Sequence, residues 1–95
     1  MAEVRLSLVA IEDLDRLILT HSLPRDTRRR VARSLRPLER FPRLGRELQG
    51  AWTPFRFILG PWRWLLIVYL YDEQRSLVVV ATMQDARSSS AATSA

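Results

Sequence analysis

The sequence has no cysteine and no lysine, one histidine, and no apolar run long enough to cross a bilayer. Without cysteine there is neither a disulfide framework nor a thiolate metal site, which fits a reducing cytoplasm. The single histidine, His21, is too few for a multi-histidine zinc centre, so neither a metal nor another cofactor is expected. The longest apolar stretch, Trp64 to Tyr71, has eight residues, far below the roughly 20 that a spanning helix needs. Acids at Glu3, Glu12, Asp13 and Asp15 break up the N-terminal region, which does not read as a secretory signal. These absences lead us to expect a cytoplasmic protein without membrane contact.

What is present is a short globular chain. Its 95 residues are 47% hydrophobic and 26% charged, enough for one domain with a packed core. A chain of this size hides only roughly two-thirds of the surface that its unfolded form exposes. All fifteen basic residues are arginine, and ten acids leave a net charge of +5. Arginine meets phosphate and carboxylate as a planar fork, so the basic set suits nucleic acid or an acidic protein partner. The codon usage of a GC-rich genome would also replace lysine by arginine.

The charge is unevenly spread. Nine arginines lie between Pro24 and Arg46 against only Asp26 and Glu39, whereas six arginines and eight acids share the rest. The last eight residues, SSSAATSA, offer nothing to bury. The expected organisation is one domain over residues 1–87 and a disordered tail over residues 88–95.

Val4, Leu6 and Leu8 alternate with polar residues, the pattern of a half-buried strand. From Ala10 to His21, Ile11, Leu14, Leu17 and Ile18 recur at helical spacing, with acids in the first turn. A second helix is expected over residues 26–40, with Val31, Leu35 and Leu38 on one stripe and a break at Pro37. Strands follow over residues 54–59, 62–71 and 76–83, the first two joined by a tight Gly60-Pro61 turn. The fold class is therefore α+β: an N-terminal strand, two helices as a hairpin, then a three-stranded antiparallel meander with the helices on one face.

A two-residue turn would pair Leu59 with Trp62 and Arg56 with Leu65. Arg56 and Arg63 then share one face with Leu65, Ile67, Tyr69 and Tyr71, while Phe55, Phe57, Trp62 and Trp64 share the other. The aromatic face is expected to meet the helices. The arginine face would stay open, with Arg87 just beyond the last strand. Clustered arginines repel one another, and a phosphate backbone or a carboxylate partner relieves that repulsion. The apolar Leu65 and Ile67 beside them suggest a peptide-docking strip.

In this order the pieces resemble the RelE/ParE superfamily of toxins from bacterial type II toxin–antitoxin modules. The likeness runs from Val4 to Arg87 through "AIEDLDRL", the arginine-rich helix, "LERFPRLGRELQG", "FRFILGPWRWLLIVY" and a valine-rich strand closing on "DAR". It implies a compact fold with a basic concave sheet face. It further implies a ribosome-dependent endoribonuclease that cuts messenger RNA by attack of the RNA's own 2′-hydroxyl, and a cognate antitoxin that neutralises it. By position, Arg56, Arg63 and Arg87 resemble the basic residues of that cleft. The arginine-rich segment, with Arg28, Arg29, Arg33, Arg36, Arg43 and Arg46, would face RNA or an acidic antitoxin.

One departure bears on mechanism. RelE-type toxins usually carry a tyrosine or histidine shortly after the last arginine to transfer protons, but here Ser88, Ser89, Ser90 and Ala91 follow. Asp85 or Tyr69 could take that role. Alternatively, the chain resembles the ParE branch, which inhibits DNA gyrase without cutting RNA, or is a degenerate toxin. A basic RNA-binding module without toxicity is the reading outside the family. His21 is a poor candidate for catalysis: it stands at the end of the first helix, where a protonated imidazole suits the dipole.

Overall fold

The computed structural model describes residues 1–87, so the expected tail over residues 88–95 lies outside the described residues. The elements run β1 (Glu3–Leu6), α1 (Leu8–His21), α2 (Thr27–Leu35), α3 (Pro37–Arg40), β2 (Arg46–Glu47), β3 (Arg56–Leu59), β4 (Leu65–Asp72) and β5 (Leu77–Asp85). The expected α+β class holds, with the helices ahead of an antiparallel β3–β4–β5 meander. The full sheet has five strands in the order β1-β5-β4-β3-β2, because β1 pairs parallel with β5 and the short β2 edges β3.

Local chemistry sets the helix limits. Ser7 caps α1 by accepting the Ala10 amide at 3.1 Å, which starts the helix at Leu8, ahead of the acids rather than among them. Ser22 ends it in the left-handed region at φ 50°. Proline inside a helix costs about 3 kcal/mol, and α2 accordingly stops at Leu35 before α3 restarts with Pro37 at its first position.

The register of β4 against β5 shifts between Val68 and Tyr69. Val68 faces Thr82 and Tyr69 faces Val80, so Ala81 is the extra residue of a bulge. Its carbonyl accepts from the Ser7 hydroxyl at 2.9 Å. The buried Asp13 of α1 accepts from the Thr82 hydroxyl at 2.5 Å and the Met83 amide at 3.1 Å. The helix thus satisfies polar groups around the bulge, and α1 is anchored across β5.

Two expectations about the sheet faces are corrected. The β3–β4 connection is not a two-residue turn: Leu59 pairs with Leu66 and Arg56 with Tyr69, leaving residues 60–64 as a loop. Trp62, Arg63 and Trp64 therefore lie outside the strand, where two-residue alternation no longer assigns faces. The helices also cover the other face. Leu65, Ile67 and Tyr69 are buried in one cluster with Ala10, Leu14, Val31, Leu35, Leu38 and Val80, and Trp62 and Trp64 pack on this same cluster. Phe55 and Phe57 sit on the opposite face with Leu48, Leu66, Val68 and Trp52. Because β4 is apolar on both faces, alternation alone does not choose the one that faces the helices. Buried under helices, Leu65 and Ile67 offer no docking strip.

Candidate functional site

The five residues singled out in the sequence separate into two groups along β4. Arg56 and Tyr69 face each other across β3 and β4. Leu65, four residues along β4 from Tyr69 and thus about 13 Å away, pairs with Asp85. Arg63 and Arg87 belong to that second end. The expected trio of arginines is therefore a pair plus one.

Arg56 serves the loop before β2. Its guanidinium donates to the carbonyls of Gly45 at 2.9 Å and Arg43 at 3.3 Å and lies 3.8 Å from the Glu47 carboxylate. Tyr69 is fully buried; its hydroxyl donates to the Pro42 carbonyl and accepts the Gly45 amide, each at 2.8 Å. Burial pushes the Tyr69 phenol above its ordinary value, a trend that the hydrogen bond to Gly45 and the nearby Arg56 charge oppose. With both hydrogen-bonding roles of its hydroxyl used on the backbone, Tyr69 holds the Phe41–Gly45 loop against the sheet.

The other end carries a denser constellation. The Ala86 amide donates to the Trp64 carbonyl at 2.7 Å, and one residue beyond that bond on either side stand Arg63 and Arg87. Arg87 grips Asp85 through two side-chain bonds of 3.1 and 2.9 Å, and its guanidinium lies 5.2 Å from the centre of the Trp64 ring. Trp62 and Trp64 stack at 5.8 Å, and Arg30 of α2 lies 5.8 Å from the centre of the Trp62 ring. Arg63 is exposed and has no ion pair among the described residues.

Sequence reasoning set one member of this group aside as a helix-end residue. His21, the last residue of α1, stacks on Trp64 with ring centres 4.7 Å apart, and its Nε2 is 3.3 Å from Asp85 Oδ2. The hydrogen bond to Arg87 holds the Asp85 carboxyl below its ordinary value, and the charges of Arg87 and His21 add to this. A contact between residues 21 and 85 has no local sequence signal; only α1 packing on β5 creates it. A groove of about 530 Å³ opens beside it, lined by Asp13, Arg16, Thr20, His21, Thr82 and Asp85, among others.

The arginine-rich segment is partly neutralised. Arg28 pairs with Asp15, Arg30 with Asp26 at 3.0 Å and Arg43 with Glu73 at 2.9 Å. Arg29 and Arg33 line a hollow of about 430 Å³ with Arg30 and Pro61, next to the tryptophan loop. Arg36 and Arg46 are exposed. No cluster of three or more metal-ligating side chains occurs among the described residues, and no helix there is long and apolar enough to cross a membrane.

No family model and no curated protein sequence matches the chain significantly. Solved structures do resemble it. The toxin–antitoxin complex RelBE2 from Mycobacterium tuberculosis contains a chain 22% identical that superposes with a TM-score of 0.68, covering 88% of this chain and 96% of that one. A copper-bound mutant toxin from Helicobacter pylori is 20% identical with a TM-score of 0.66, covering 90% and 94%. A metal-bound toxin from the same organism is 16% identical with a TM-score of 0.65 over the same shares. The chain has the RelE-like fold. Within it, the end of the sheet that carries Arg63 and Arg87 is a cationic, aromatic rim.

Proposed function

We propose that the chain is the toxin of a type II toxin–antitoxin module and cuts messenger RNA on the ribosome. The observation that carries this reading is the pair Arg63 and Arg87 beside the stacked Trp62 and Trp64. The stacked rings give Arg87 a fixed seat, and arginines in such a setting hold the phosphates of an unpaired strand. The exposed Arg63 takes a phosphate directly, and Arg87 exchanges part of its Asp85 contact for one. In the cleavage step the RNA's 2′-hydroxyl loses its proton, its oxygen bonds to the adjacent phosphorus, and the bond to the 5′-oxygen breaks. The two guanidiniums stabilise the charge that builds on the phosphoryl oxygens. The products are a 2′,3′-cyclic phosphate and a 5′-hydroxyl.

The partner under this reading is an acidic antitoxin. An apolar groove of about 160 Å³ runs between α1 and α2, lined by Leu6, Ile11, Leu14, Val31 and Leu35, with Arg28 at its side. An amphipathic antitoxin helix would lay apolar residues in this groove and acids against the arginines of α2.

Expression in bacteria without an antitoxin tests the reading. Growth arrest with transcripts cut at the ribosomal A site supports it. Arrest with intact transcripts and DNA breaks would assign the gyrase-inhibiting alternative, and unhindered growth would remove both.

A further inference from the structure

Three candidates stand out beyond the phosphate-binding arginines: the apolar α1–α2 groove, the buried Asp13 and the cluster around His21. The groove belongs to the partner already argued. Asp13 is spent on Thr82, Met83 and Arg16, where it closes the bulge. The His21 cluster is different, because it joins a titratable ring to the carboxylate that Arg87 grips, at the edge of an open groove.

We infer that His21 is the proton-transferring group of this site, with Asp85 as the residue that positions it. The inference rests on the nuclease reading and fills the gap left by the four residues after Arg87, which offer no proton-transferring side chain. Three features converge on the ring. Its Nε2 faces the Asp85 carboxylate at 3.3 Å, its ring packs on Trp64, and it lines the groove together with Asp85. A carboxylate beside one ring nitrogen keeps the proton there and leaves the other nitrogen to accept one, an arrangement that fixes the tautomer and stabilises the imidazolium. Arg87 bonds the same carboxylate, so Asp85 ties the base to the phosphate-holding cation. The ring is half-buried, open on the groove side and closed on the Trp64 side.

The step balances with groups at hand. The imidazole takes the 2′-hydroxyl proton as the oxygen bonds to phosphorus, and the 5′-oxygen leaves with the electron pair of the broken bond. That oxygen takes a proton from water, and the hydroxide so formed discharges the imidazolium. The charged groups around the ring are Asp85 and Arg87 at the end of β5 and Asp13 and Arg16 on α1. Arg63 lies in the β3–β4 loop and Arg30 of α2 above Trp62. A protonated ring cannot accept, so the rate must fall on the acid side.

The test uses the chain on programmed ribosomes, following single-turnover mRNA cleavage from about pH 5 to about pH 8. His21→Gln should slow cleavage about 100- to 10,000-fold, abolish the acid limb, and leave ribosome binding intact. His21→Gly should regain activity when free imidazole is added, which a purely structural role would not allow. Asp85→Asn should shift the acid limb rather than remove it. If His21→Gln cuts within about threefold of the wild-type rate and keeps the acid limb, the inference is overturned. If the wild-type chain binds ribosomes and leaves mRNA whole, the nuclease reading itself has failed, which the unmutated protein reveals before any variant is made.

Discussion

The amide of Gly45 donates to the hydroxyl of Tyr69 at 2.8 Å, across 24 residues of sequence and inside the core. A Cβ on Gly45 would lie 2.6 Å from the Phe57 carbonyl oxygen and 2.7 Å from the Tyr69 hydroxyl, so the glycine is required by close approach. Tyr69→Phe strands the Gly45 amide and the Pro42 carbonyl and should cost about 1–3 kcal/mol. Gly45→Ala should cost at least as much, because backbone must move. Urea melts of both variants check this; a Tyr69→Phe midpoint equal to wild type would mean the loop is not held by this hydroxyl.

Arg56 and Arg63 should part company experimentally. Arg56 binds two loop carbonyls, so Arg56→Ala should lower the melting temperature. Arg63 is exposed, so Arg63→Ala should leave melting nearly unchanged and lower mRNA cleavage about 100-fold or more, the usual cost of removing one donor to the developing oxyanion. Cleavage that survives Arg63→Ala would dismiss the phosphate role of this residue.

Asp85 makes stability pH-dependent in a known direction. Its carboxyl titrates below the ordinary value, chiefly because Arg87 hydrogen-bonds the charged form. A depressed carboxylate contributes stability above its unfolded value of about 3.9, and that contribution disappears as pH falls through the folded value. Thermal melts from neutral pH down to about pH 2 should therefore show a shallower acid-side decline for Asp85→Asn than for wild type. Equal slopes would exclude Asp85 as a contributor.

Antitoxin capture should depend on the α1–α2 groove. Ile11 is 44% exposed at its mouth, so Ile11→Asp should weaken binding without unfolding the chain. Arg28→Glu should weaken it further at low salt than at high salt, since exposed ion pairs are screened. Calorimetric titration of each variant with the antitoxin of the proposed module measures both effects.

Much of the fold is legible without coordinates. The helical spacing of Leu14, Leu17 and Ile18, the stripe of Val31, Leu35 and Leu38, and the proline that divides it are local signals, and the elements appear where these put them. The covered sheet face was not legible. Leu65, Ile67 and Tyr69 on one side of β4 compete with Leu66 and Val68 on the other, and both sets are apolar. The hairpin register slipped for a related reason: Gly60-Pro61 reads as a tight turn, but the chain goes on through Trp64 before β4 begins.

The arginines show the same division. Sequence by itself determined that the basic charge is all arginine, that nine of the fifteen crowd one segment, and that a strand–helix–helix–meander order follows from local periodicity. Tertiary structure decided what each charge does. It spent Arg56 on loop carbonyls, left Arg63 open, and closed Arg87 on Asp85 against Trp64 and the lone histidine. The reason is physical: periodicity records which residues want burial, whereas the partner of a polar group is set by chain segments that only packing brings within about 3 Å.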